Sequence, residues 1–334
     1  TWPALFAPVL GPPLGGFITT YASWRWNFLL NVPLGLAAIV LIVRWVPRET
    51  QHAPRPLDLS GAIGAAVGLM ALLGGLEWTA HVIGESRSRL PALATIAFGA
   101  LALAWTVHHL RRTAHPLVSL APLDQRTFRA ATATGGTFLT MCIQSTPFLL
   151  PLLFQLALGR SAVNAGALLL PYFLGNLGMK SVTTPILLRL GFRRVLVLMG
   201  VANAAAIAAF GFVGPDTPRL ALILLLVVAG CVRSMQMTAI NTLMFADVPP
   251  PQRSAASALA SVSMQVAAAL GVAVGAIVLA ISQSLHGEPH LALGDFHVAF
   301  HMMGLFCLIA TVTFWRLPHD AGAEVTRATT GRAG

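Results

Sequence analysis

Apolar residues run along this chain in long blocks separated by short polar segments, and the length of the blocks decides what they are. A helix needs about 20 mostly apolar residues to cross roughly 30 Å of hydrocarbon. By that measure the sequence holds ten such blocks, at about Thr1–Thr20, Trp26–Val43, Leu59–Trp78, Leu90–Val107, Ala130–Leu156, Ala162–Leu188, Val195–Val213, Leu220–Phe245, Ser254–Ile281 and Phe296–Trp315. Glycine and proline recur inside them, as membrane helices tolerate. No stretch sustains the alternation of a transmembrane β-strand. The pattern predicts an all-α polytopic membrane protein of about ten transmembrane helices. Connections as short as Tyr21–Arg25 and Gly214–Arg219 predict antiparallel neighbours.

Composition narrows the function classes. Of 334 residues 56% are hydrophobic and 10% charged, against about 25% charged in soluble domains. Mean hydropathy is +0.76. A water-soluble enzyme is excluded, and so is a disordered chain. The net charge of +10 does not mark a nucleic-acid partner, because the basic residues sit in short arginine clusters between the apolar blocks. That is the pattern of loops flanking membrane spans.

The same arginines predict orientation. If the end of the second block is cytoplasmic, fourteen lie in cytoplasmic segments: Arg44, Arg48, Arg55, Arg111, Arg112, Arg126, Arg129, Arg189, Arg193, Arg194, Arg253, Arg316, Arg327 and Arg332. Only Arg25, Arg87, Arg89, Arg160 and Arg219 fall outside, while Lys180 and Arg233 are embedded. The bias puts the carboxyl terminus in the cytoplasm. Cys142, Cys231 and Cys307 each sit in an apolar run and read as small buried hydrophobes. The first block lacks an initiator methionine and a basic leader, so the chain reads as the carboxyl-terminal part of a longer protein. Its polar tail, 320–334, is expected to be disordered.

Two adjacent motifs are less generic. The first block carries Ala7-Pro8-Val9-Leu10-Gly11-Pro12-Pro13-Leu14-Gly15-Gly16. Gly11 and Gly15 make a small-xxx-small face suited to close helix approach, and Pro12 and Pro13 remove backbone donors and loosen the helix. Next comes Trp24-Arg25-Trp26-Asn27-Phe28-Leu29-Leu30-Asn31-Val32-Pro33-Leu34-Gly35. Together these resemble the fourteen-span drug:proton antiporter branch of the major facilitator superfamily. There the GPxxGG element is the antiporter motif of span five, matched here by Gly11, Pro12, Gly15 and Gly16. Ala7 stands where the branch usually has its first glycine. Leu188–Leu196 is similar to the family's basic inter-helix turn, and Arg233–Leu243, Asp247-Val248-Pro249 and Ser261–Gln265 resemble the multidrug-resistance D-type subgroup.

The resemblance covers nearly the whole chain and implies its organisation. Residues 1–43 would be the last two helices of the amino-terminal six-helix half and 44–114 two extra linking helices. Residues 115–319 would be the carboxyl-terminal half, opening with an interfacial helix or linker at His115–Arg126. It implies alternating access around a midplane cavity.

Embedded polar residues are the candidate cavity set, since an unpaired polar group in a span costs several kcal/mol. Arg233 lies roughly 20 Å of helix from either end of its block, with Met237 and Asn241 on its face and Gln236 beside it. It holds an anionic substrate or a carboxylate of the missing amino-terminal half, or else is locked to backbone carbonyls. Lys180, with Asn176 and Thr184 on its face, either binds substrate or snorkels to the interface. Thr137, Thr140 and Gln144 form a stripe read equally as cavity lining or helix–helix bonding. The Ser257, Ser261, Gln265 stripe reads as packing, reinforced by Gly271 and Gly275. His286, His290, His297 and His301, with Glu288 and Asp295, are spaced in and around a loop that does not fix a metal geometry.

No phosphate loop, paired carboxylates or catalytic triad is present, and no cofactor or metal is implied. No acid lies in the middle of a block; in the branch, coupling carboxylates lie largely in spans one to four. The expected function is a proton-coupled antiporter exporting small molecules or drugs across a bacterial inner membrane, its partners being substrate, protons and lipid, with no protein partner implied. The alternatives are a specific exporter of an organic anion, such as citrate or its metal chelate, and a non-transporting membrane sensor or scaffold.

Overall fold

The computed structural model describes residues 11, 14–45, 57–82, 90–287 and 290–316. Pro12, Glu288, the tail 320–334 and several loop arginines counted above (Arg48, Arg55, Arg87, Arg89) lie outside the described residues.

All described regular structure is helical: α1 (residues 14–21), α2 (Trp26–Leu29), α3 (Asn31–Trp45), α4 (Leu59–Val82), α5 (Leu90–Arg112), α6 (Arg126–Thr132), α7 (Gly135–Leu152), α8 (Ala162–Leu168), α9 (Leu170–Leu190), α10 (Phe192–Phe210), α11 (Arg219–Ala246), α12 (Arg253–His286) and α13 (Leu293–Trp315). Among the described residues, nine helical stretches are long and apolar enough to cross a membrane. The chain is an all-α polytopic membrane protein. Helix ends follow local chemistry. Gly191 adopts φ 74° and ψ 158°, a region open essentially to glycine, and so reduces the α9–α10 connection to one residue. Gly287, left-handed at φ 70°, terminates the 34-residue α12.

Three boundaries differ from the hydropathy pattern. The block at Ala162–Leu188 is two helices, α8 and α9, interrupted at Leu169 with Pro171 in the first turn of α9, where its missing N–H costs nothing. The block beginning at Ala130 breaks at Ala133–Thr134, between α6 and α7. α7 then contains Pro147 and Pro151 and passes into a wide π-turn at Leu153–Ala157, as expected where proline removes donors from the helical ladder. The segment 113–125 is irregular apart from a 3₁₀ turn at Ala121–Asp124, so it is a linker and not an interfacial helix.

The packed apolar core is drawn from Phe128 to Phe314, that is, from α6 to α13. α9 pairs with α11, α10 with α13, and α7 with α12 and α13; α4 and α5 pair with each other, and α4 leans on α12. α3 buries no residue. Large side chains such as Leu198, Leu224, Leu308 and Ile309 remain exposed, which lipid tolerates as water does not.

Polar latches tie the helix ends together. Thr127 Oγ1 donates to Asp247 Oδ2 at 2.7 Å, joining α6 to the end of α11. An Arg193 nitrogen donates to the Trp315 carbonyl at 2.7 Å, joining α10 to α13. Asp58, just before α4, is the hub of a third. Its Oδ1 accepts from the Gly61 N–H at 2.8 Å and the Ser60 hydroxyl at 3.0 Å, and lies 2.9 Å from His109 Nε2 on α5. Its Oδ2 accepts the Leu117 N–H of the linker at 3.2 Å. The Gly61 N–H first, then His109, hold this carboxyl well below the usual carboxylate range.

Candidate functional site

Arg233 stands midway along the 28-residue α11. Its guanidinium is held by side chains from two other helices: Nη2 donates to Gln144 Oε1 on α7 at 2.6 Å, and Nη1 to the Tyr172 hydroxyl on α9 at 3.1 Å. The guanidinium carbon also lies 5.8 Å from the Tyr172 ring centroid, within cation–π range. Arg233 and Gln144 are half-buried, whereas Tyr172 is buried. Both partners are neutral, and the described salt bridges leave this guanidinium without a carboxylate.

Glycines set this geometry by letting backbones touch. A Cβ on Gly230, one turn before Arg233, would lie 2.9 Å from the Tyr172 carbonyl carbon and 3.0 Å from the Asn176 nitrogen, with the Tyr172 oxygen closer still. A Cβ on Gly175 would lie 3.0 Å from the Val227 carbonyl carbon, and Cys231 Sγ reaches the Gly175 oxygen at 3.3 Å. α9 and α11 are thus in backbone contact over the two turns of α11 that precede Arg233. On the third helix, a Cβ on Gly271 of α12 would sit 3.1 Å from the Ser145 nitrogen, so α12 presses directly on the turn carrying Gln144.

The other expected cavity residues divide. Gln236 has no exposed surface; its Nε2 donates to the Leu196 carbonyl at 3.2 Å, and Asn203 Nδ2 donates to its Oε1 at 3.4 Å. It therefore locks α11 to α10 and is withdrawn from the cavity set. Of the α7 stripe only Gln144 reaches Arg233. Thr140 is buried in packing. The Thr137 hydroxyl lies against the Thr132 carbonyl and 3.0 Å from Ser263 Oγ, which itself donates to Thr132 at 2.7 Å. These hydroxyls satisfy a carbonyl orphaned where α6 ends. Asn176 is half-buried one turn from Tyr172, while Lys180 and Asn241 are exposed. The Ser257, Ser261, Gln265 stripe is exposed and does not pack; Gly271 and Ser263 make the close contacts of α12. Tyr172 was missed because an aromatic at a helix start reads as core; its spacing from Asn176, one turn away on the same face, was the available signal.

In the GPxxGG element, a Cβ on Gly11 or Gly15 would meet nothing within 4 Å among the described residues, whereas one on Gly16 would lie 2.7 Å from the Ala162 carbonyl oxygen. Close approach of α1 to the start of α8 therefore rests on Gly16, not on the Gly11–Gly15 pair. The histidines around the α12–α13 connection are dispersed among structural roles. His286 Nδ1 lies 2.9 Å from the buried Asp295, which also accepts from Ser282 at 2.7 Å; His297 pairs with the Val213 carbonyl and His301 with the Phe212 ring. Among the described residues no group of three metal-ligating side chains converges.

The profile of the Major Facilitator Superfamily matches residues 2–272 and, in an overlapping alignment, 132–332. The chain belongs to this superfamily. Among its relatives are proteins called putative multidrug resistance protein MdtD. The one from Pectobacterium carotovorum is 32% identical over 318 residues, 95% of this chain and 66% of the relative. One from Klebsiella pneumoniae is 32% identical over 341 residues, 100% of this chain and 70% of the relative. One from Escherichia coli is 30% identical over 332 residues, 97% and 68% respectively. The chain thus spans about two thirds of the length of these superfamily members.

Proposed function

We propose that the protein is a proton-coupled secondary transporter that exports small molecules across the bacterial inner membrane by alternating access, with Arg233, Gln144 and Tyr172 forming its substrate-binding point. Membership of the superfamily and the relatives' printed names support the transport reading. The arginine bias supports a cytoplasmic carboxyl terminus.

The observation that carries the site is the state of Arg233. A guanidinium near the middle of a span costs at least about 2.5 kcal/mol, and among the described residues this one is met by two neutral oxygens and the Tyr172 ring, with no carboxylate. Five N–H donors are available to an arginine, so donors remain for a ligand. Gln144 and Tyr172 orient the planar group without discharging it. That favours an organic anion over a lipophilic cation as substrate, because an anion would supply the missing charge and a bidentate partner.

Export assayed in everted vesicles, with and without a protonophore, tests both parts. Arg233→Ala is expected to abolish export while membrane insertion persists. Arg233→Lys is expected not to restore it, since a point-like ammonium cannot span Gln144, Tyr172 and a ligand together. Protonophore-insensitive export would remove proton coupling, and unchanged kinetics in Arg233→Ala would remove the site.

A further inference from the structure

A cavity of about 580 Å³ opens at the amino-terminal ends of α9 and α11, lined also by α8 and the α10–α11 connection. Its size lies in the range of small-molecule sites. The lining carries two guanidiniums, Arg160 before α8 and Arg219 at the start of α11, together with Asn164 and Thr217, and no acid. Asp216 lies in the same connection but not in the lining, and neither described salt bridge involves it or either arginine. The Thr217 oxygen accepts the Gly214 N–H at 2.8 Å, which leaves its own proton to donate inward. Ser161 Oγ accepts the Asn164 N–H at 3.3 Å and fixes the α8 end of the wall. Pro171, Leu222 and Ile223 supply an apolar floor.

We propose that this cleft is a second anion site, distinct from Arg233, its Arg219 standing roughly 21 Å of helix from Arg233 along α11, which takes a carboxylate- or phosphate-bearing group between Arg160 and Arg219. Its placement at the outer mouth rests on the orientation proposed above. Arg160 and Arg219 are both exposed at the cleft, and neither described salt bridge gives them a carboxylate, so an anion there gains charge-assisted hydrogen bonds. The Asn164 amide and Thr217 hydroxyl add donors, and the apolar floor takes the hydrocarbon part of the ligand. α1 meets this site at its edge, through the contact of Gly16 with Ala162, so an occupant would lie against the helix that carries the GPxxGG element. The group bound is either a free organic anion leaving the protein or the headgroup of an anionic lipid.

Equilibrium binding to the full-length protein in zwitterionic nanodiscs separates these sources, using tricarballylate and dihexanoyl phosphatidylglycerol as individual probes. The paired change Arg160→Gln and Arg219→Gln is expected to weaken at least one probe tenfold or more. Asn164→Asp, which sets a carboxylate in the wall, is expected to weaken the same probe at least threefold and guards against a folding failure of the paired variant. Loss confined to tricarballylate assigns a free anion, and loss confined to the lipid assigns a headgroup. In Arg233→Gln protein the Arg160- and Arg219-dependent binding should persist even though export has failed, so the fate of the two sites is read independently. Unchanged affinity for both probes in both cleft variants overturns the proposal.

Discussion

Adding one methyl group at Gly230 tests the geometry of the Arg233 site more sharply than removing any of its polar groups. The new Cβ would stand 2.9 Å from the Tyr172 carbonyl carbon and 3.0 Å from the Asn176 nitrogen, closer than the 3.4–4 Å of ordinary contact. These are backbone atoms, so no side chain can rotate aside. α9 must retreat by about 1 Å to relieve the overlap with the Tyr172 carbonyl, at an overpacking cost of about 1–3 kcal/mol. The Tyr172 hydroxyl receives Arg233 at 3.1 Å, so a retreat of that size takes it beyond hydrogen-bonding distance. Arg233 then loses a partner that orients it; a ligand hydrogen bond to this charged group misaligned in consequence is worth about 1.5–3 kcal/mol, or roughly ten- to a hundredfold in affinity at 1.4 kcal/mol per decade. Gly230→Ala is therefore expected to raise the half-saturating substrate concentration for export in everted vesicles at least tenfold. The control is Gly178→Ala, also on α9, whose Cβ would meet nothing within 4 Å. Wild-type export kinetics in Gly230→Ala would refute the claim that glycine contact sets the position of Tyr172.

Gln236→Leu removes the bonds to Leu196 and Asn203 and leaves their buried polar atoms unpaired; it should destabilise the protein by about 1–3 kcal/mol, seen as a lower thermal midpoint in detergent, while substrate affinity holds. Gly16→Leu should abolish export by driving α1 from Ala162, whereas Gly15→Leu, facing open space among the described residues, should be far milder; equal effects would contradict the assigned contact. Asp58→Asn should expose the Leu117 amide to faster hydrogen exchange. Because the folded carboxyl titrates below its unfolded value of about 3.9, its contribution is fully present above that value and is lost only as pH falls further through the depressed folded one. Leu117 exchange protection in the wild type, corrected for intrinsic rates, should accordingly hold from neutrality down to about pH 4; an earlier loss would contradict the Asp58 anchor.

Much of the architecture was legible because a membrane enforces one simple rule, an apolar run of fixed length, and α4, α10, α11 and α13 begin within a few residues of where that rule puts them. The failures have local causes. α5 continues through His108, His109, Arg111 and Arg112 because polar side chains at a helix carboxyl end are compatible with its dipole, so hydropathy closes the block too early. α8 and α9 fuse in a hydropathy reading because Pro171 interrupts hydrogen bonding without interrupting greasiness. At the site, Arg233 and Gln144 were visible as polar groups where polarity is expensive. Their meeting was not, because it depends on contacts at Gly175, Gly230 and Gly271, and a glycine in a sequence does not say which neighbour it admits. Gln236 and Thr137 misled for a related reason: a buried polar residue advertises a need for a partner, not whether that partner is a ligand or another helix.

The contact between α9 and α11 also dictates which part of the site is free to leave. Welded backbone to backbone, these two helices carry Tyr172 and Arg233 as a single rigid jaw. Gln144 rides on α7, where Pro147 follows within one turn and Pro151 and the π-turn lie just beyond, a stretch built to flex. If α7 bends away, Arg233 keeps Tyr172 but loses the partner that fixes the other edge of its plane. The grip on cargo would then be metered by the crookedness of one rod.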